Sequence, residues 1–104
     1  MISSKRQFNI ACLQTLPRAD FKTALDEAIT LAEEAVKAGA DFLTLPEYCG
    51  GLKTEGSAFA PPFATEENHP VLKGLRNFAK NRKKYLLIGS IAISGTADKI
   101  LNRS

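Results

Sequence analysis

One amphipathic segment set between two short apolar runs constrains this chain more than any other feature. Phe21, Ala24, Leu25, Ala28, Leu31, Ala32, Ala35 and Val36 recur at three- and four-residue spacing, while Lys22, Asp26, Glu27, Glu33, Glu34 and Lys37 fall mainly elsewhere. That period predicts a helix with one buried stripe. Asp20 stands where it can cap the first turn, and Gly39 follows the last periodic residues, where a left-handed conformation favours glycine. Phe8-Asn9-Ile10-Ala11-Cys12-Leu13-Gln14 precedes the helix, and residues 41–45 follow it after a tight link. Strand, helix and strand in this order make a βαβ unit with a parallel strand pair.

In the first strand both alternating sets are mostly apolar, which predicts coverage on both faces. Cys12 is then a small core residue, not a nucleophile, because an apolar site raises a thiol pKa. The second strand breaks at Pro46 and delivers Glu47 to its carboxyl end, where α/β sheets gather their ligands.

Residues 48–67 are rich in Gly, Pro, Ser and Thr and show no sustained period, so they read as a long loop walling a pocket beside Glu47. Pro70 opens a second helix whose stripe is Leu72, Leu75, Phe78 and Ala79, up to about Arg82. His69, just ahead of it, reads as a helix-entry or loop residue and not as a catalytic base, since no partner is identifiable. Residues 85–93 predict one long apolar strand with Gly89 marking a close approach, residues 94–98 a turn, and residues 99–104 an antiparallel strand. Ending in a strand leaves an open sheet edge, which leads us to expect the amino-terminal part of a longer protein.

Composition excludes several classes. The 104 residues allow one small domain or one part of a larger one. No run is long enough to cross a bilayer and the first residues lack a signal peptide's apolar segment, so a cytoplasmic protein without membrane partners is the default. The net charge of +3 rests largely on Lys73, Arg76, Lys80, Arg82, Lys83 and Lys84, which crowd into one helix and its end. Without aromatic platforms or a continued basic face, these read as a solvated helix face, not a nucleic-acid surface. Two cysteines and a single histidine do not make a zinc site.

Glu47 can serve as an acid, a base, a metal ligand or a salt-bridge partner, and burial beneath the loop would raise its pKa toward that of a useful proton shuttle. Cys49, in the loop, has no lysine or helix amino terminus evident to lower its pKa, and a nearby carboxylate opposes thiolate formation. It reads as a packing or loop-wall residue.

Taken in order, the opening strand, the helix ending Ala38-Gly39-Ala40-Asp41, the segment Phe42-Leu43-Thr44-Leu45-Pro46-Glu47, Leu87-Ile88-Gly89-Ser90 and Leu101-Asn102-Arg103-Ser104 resemble the start of a nitrilase-superfamily carbon–nitrogen hydrolase. The resemblance implies an α/β fold: residues 1–104 would be the amino-terminal portion of one four-layer α-β-β-α sandwich domain, incomplete. It implies hydrolysis of small amides or nitriles through a cysteine acyl-enzyme, without metal or organic cofactor, with Glu47 as general base. The short segments look more like the amidase-like branches than the true nitrilases. Tyr48 and Cys49 are placed to touch substrate.

The family's lysine follows the Leu-Asn-Arg segment, whereas Lys99 precedes it, so Lys99 does not match; neither does Cys49 match the family's cysteine. Both family residues are expected beyond Ser104, and residues 1–104 alone are expected to be inactive. Family members commonly pair sandwiches, so a homo-oligomer is expected of the longer protein. The competing reading is a small non-catalytic α/β module that binds a ligand at Glu47 and the loop. A lysine and a cysteine encoded beyond Ser104 would separate the two.

Overall fold

A computed structural model describes residues 7–56, 58–95 and 99–104, apart from the Glu55 side chain. Three short strands, β1 (Ile10–Cys12), β2 (Phe42–Thr44) and β5 (Tyr85–Leu87), form a parallel sheet in the order β1-β2-β5. Ala11, Leu43 and Leu86 lie in register across it. Between them run α1 (Phe21–Lys37) and α2 (Pro70–Arg82), while β3 (Thr54–Glu55) pairs with β4 (Ala58–Phe59) and β6 (Ile91–Ser94) with β7 (Ile100–Arg103), both antiparallel.

Both helices begin where the sequence puts them, because each has a side chain that satisfies a free first-turn N–H. Asp20 Oδ1 accepts from the Thr23 N–H at 2.7 Å, a bond that holds its carboxyl below the usual carboxylate range. His69 caps α2 in the same way, its Nδ1 accepting from the Leu72 N–H at 3.4 Å. Gly39 ends α1 with φ +102°.

The buried stripe of α1 (Ala24, Ala28, Ala32) and that of α2 (Val71, Leu75, Phe78) join Leu13, Leu43 and Leu45 in one core. Arg82 of α2 pairs with Glu33 of α1 across the helix ends, and Lys73, Arg76, Lys80, Arg82 and Lys83 lie at least partly in solvent, as a solvated face requires. A mixed α/β architecture with helices over a sheet is thus present, amounting to two of the layers of an α-β-β-α arrangement. Among the described residues, no helix is long and apolar enough to cross a membrane.

Three expectations fail. The first strand is covered on one face only: Ile10 is 62% exposed, and Phe8 and Cys12 are also exposed. Cys12 is therefore not a core residue. Its side chain shares a face with Ile10, opposite Leu13, and both helices lie on Leu13's side. The long apolar stretch 85–93 is two strands, since residues 88–90 leave the sheet before β6 begins. Residues 48–67 are not structureless: they hold the β3–β4 hairpin and a 3-10 turn at Glu66–Asn68. The turn expected at 94–98 lies partly outside the described residues, while the antiparallel pairing that follows it is present.

One-sided coverage has a measurable consequence. Leu43→Ala, at a fully buried position, should cost about 3 kcal/mol, whereas Ile10→Ala on the open face should change stability by less than about 0.5 kcal/mol. Urea denaturation midpoints of the two variants check this.

Candidate active site

The middle strand sets the site. At its carboxyl end the ladder runs one residue past β1 and β2: Leu13 N–H donates to the Thr44 carbonyl at 2.9 Å, and Leu45 N–H donates to the Leu87 carbonyl at 2.9 Å. Pro46 has no N–H to continue the ladder, so the strand stops there and Glu47 emerges at its carboxyl end.

Tyr48 then adopts φ +53°, a left-handed conformation that costs a residue with a side chain about 1 kcal/mol. Residues of the neighbouring segment hold it. Tyr48 N–H donates to Ser90 Oγ at 2.9 Å, and Cys49 N–H donates to the Ser90 carbonyl at 3.1 Å. On the other side of Glu47, Gly89 lies so close to Pro46 that a Cβ there would come within 2.5 Å of the Leu45 and Pro46 carbonyl oxygens. Only glycine permits that approach.

Glu47 lines a cleft of about 250 Å³ with Thr15, Leu16, Pro17, Pro46, Tyr48 and Leu52. The Thr15–Pro17 wall is fastened from α1. Glu27 accepts from the Leu16 N–H at 3.0 Å and takes a two-pronged contact from Arg18, Nε at 3.2 Å and Nη2 at 2.7 Å. The Arg18 contact holds the Glu27 carboxyl below its ordinary value and raises the guanidinium pKa in turn. The opposite wall is tied to the same connection, since Leu52 N–H donates to the Arg18 carbonyl at 2.6 Å.

The sequence-expected residues divide. Tyr48 lies on the cleft. Cys49 is buried among core side chains and is not one of the lining residues; its thiol points to the Ser90 carbonyl at 3.6 Å, and burial pushes its pKa up to about 11. A thiol so placed is inert as a nucleophile. Glu47 itself is exposed, so the burial beneath the loop expected of it is not provided by these residues. The loop turns away at Tyr48 and Cys49 toward Ser90, and reaches the cleft again only at Leu52. Among the described residues no three His, Cys, Asp or Glu side chains gather into a metal-binding group.

The anchors leave no local signal in the sequence. Ser90 sits inside what looked like a continuous apolar strand, and Glu27 looked like one of several charges on a solvated helix face. His69 holds the loop from behind: it is fully buried, its ring lies 4.7 Å from that of Phe21, and a Cβ at Gly50 would come within 2.9 Å of its Cε1. Because Nδ1 accepts the capping bond, the ring proton belongs on Nε2, which has no hydrogen-bond partner among the described residues.

A family model described as carbon–nitrogen hydrolase matches residues 9–104. Among curated proteins none matches the chain.

Burial lowers the His69 pKa below its ordinary value of 6.5. The unfolded chain then binds more protons than the folded one in the interval between the two values. Stability from this group is complete above pH 6.5, declines as pH falls below it, and levels off beneath the lowered folded value. His69→Asn keeps a capping side chain and removes the titration, so its Tm should lose that decline between pH 7 and the onset of carboxylate protonation at about pH 4.5. Thermal melts across this range check the difference.

Proposed function

The chain belongs to the carbon–nitrogen hydrolase family, and from that premise we propose that Glu47 is the general base of an amidase-like hydrolase acting through a cysteine acyl-enzyme. The observation that supports this reading is the position of one carboxylate: it emerges at the carboxyl end of the central parallel strand, on a cleft, between backbone segments held on both sides. The nucleophilic cysteine and its lysine partner are proposed to lie beyond Ser104, so residues 1–104 alone would carry the base without the nucleophile.

In the proposed reaction the cysteine thiol gives its proton to Glu47 and its sulfur bonds to the amide carbon. The resulting oxyanion needs a cationic or N–H donor, for which the lysine is suited. Collapse breaks the carbon–nitrogen bond, Glu47 returns the proton to the departing nitrogen, and a thioester remains. Water, deprotonated by the same carboxylate, then releases the acid and restores the thiol.

A solvated carboxylate is a weak base toward a thiol. The proposed enzyme therefore needs further chain over the Glu47 cleft to exclude water from the carboxylate. A cleft of about 250 Å³ suits a small acyl group. Small amides, with nitriles as the alternative, are the proposed substrate class, in a cytoplasmic homo-oligomer.

Glu47→Gln keeps the shape of the side chain and removes its capacity to take a proton. In the enzyme carrying its cysteine it should reduce turnover of a short amide by at least about 100-fold, with no acyl-enzyme seen by intact mass and an unchanged circular dichroism spectrum. Turnover near the wild-type rate would sink the assignment.

A further inference from the structure

We propose that Ser90 is a positioning residue for Glu47: its hydroxyl and carbonyl oxygens hold the two residues after the glutamate and so fix where the carboxylate stands. The inference rests on the reading of Glu47 as the base.

The Glu47 side chain makes no hydrogen bond or ion pair among the described residues, so what the fold fixes is the backbone from which the carboxylate leaves. That backbone is gripped at three points, before and after the glutamate, by two adjacent residues. Pro46 lies against Gly89, whose missing Cβ leaves the room. Tyr48 N–H is held by Ser90 Oγ, and Cys49 N–H by the Ser90 carbonyl. Ser90 is 4% exposed, so water does not compete for either bond.

The hydroxyl acts on one strained residue. Tyr48 is left-handed, and its N–H loses its acceptor if residue 90 is alanine. The turn is then free to relax toward the right-handed region, which swings Glu47 relative to the cleft. The break between β5 and β6 serves the same clamp, since residue 90 stands outside both strands and its carbonyl is left free to accept from Cys49.

The test uses Ser90→Ala, Ser90→Thr and Ser90→Cys, the last retaining volume with a poor acceptor. Backbone amide exchange of the chain, followed by NMR, should show Tyr48 exchanging at least about tenfold faster in Ser90→Ala while the core amide of Leu43 stays protected. Ser90→Thr should restore protection, and Ser90→Cys should give the Ala result in smaller measure if Ser90→Ala fails to fold. In the hydrolase carrying its nucleophilic cysteine, Ser90→Ala should lower kcat by about 100-fold with KM nearly unchanged, and Ser90→Thr should recover it. A Tyr48 amide equally protected without the hydroxyl overturns the clamp. A released amide with unchanged kcat overturns the positioning role while Glu47→Gln still abolishes turnover. Wild-type turnover by Glu47→Gln overturns the base itself, a result the exchange data cannot imitate.

Discussion

The fold depends on the hydrogen bonding of β2 between two parallel partners. A central strand must spend its N–H and C=O groups on both neighbours, and here the ladder continues one residue beyond the carboxyl ends of β1 and β2, through Leu13 and Leu45. Leu43, fully buried at its centre, is the point where sheet and helices meet. Pro46 ends the ladder by having nothing to donate. The place where the sheet must stop is therefore the place where a polar side chain can leave it, and Glu47 is that side chain.

What surrounds Glu47 is a matter of anchoring more than of chemistry. One cleft wall is fastened by Glu27 from α1 and the other is tied by Leu52 to the same connection, so α1 serves the site as well as the core. The loop behind is wedged by a buried imidazole against Gly50. An uncharged ring tolerates that setting and a protonated one does not, which couples the loop's packing to the protonation of a residue outside the cleft.

Much of this was legible in the sequence for identifiable reasons. Helices announce themselves locally: Asp20, Pro70 and Gly39 act within a few residues, and the apolar stripes of α1 and α2 are periodic. The parallel pairing followed from strand, helix and strand in succession, and Glu47 from the proline before it. What was not legible depended on contacts distant in sequence. Ser90 and Tyr48 are 42 positions apart, and nothing near either signals the other. The strand from Tyr85 reads as continuous because its residues are apolar nearly throughout, although the close docking of Gly89 on Pro46 takes the chain out of the sheet. Cys12 is exposed although an alternation with two apolar faces predicts coverage of both, because helix packing supplies only one.

The open face of the sheet bears on the proposed chemistry. Phe8, Phe42 and Tyr85 form an aromatic row across it, with centroids 6.1 and 6.2 Å apart, and Ile10 and Leu87 are exposed as well. Parallel sheets are stable when both faces are covered, and an apolar row of this kind is a surface made for packing. The four-layer arrangement of the family would lay a second sheet on that face. Glu47 is well anchored and on a cleft, yet exposed to solvent. On the proposed reading one event completes both, because the chain that covers the apolar face also brings the nucleophile to the cleft and removes water from the carboxylate. Hydrophobic burial would then supply the driving force for assembling the catalytic group, which ties the basicity of Glu47 to the closing of the core.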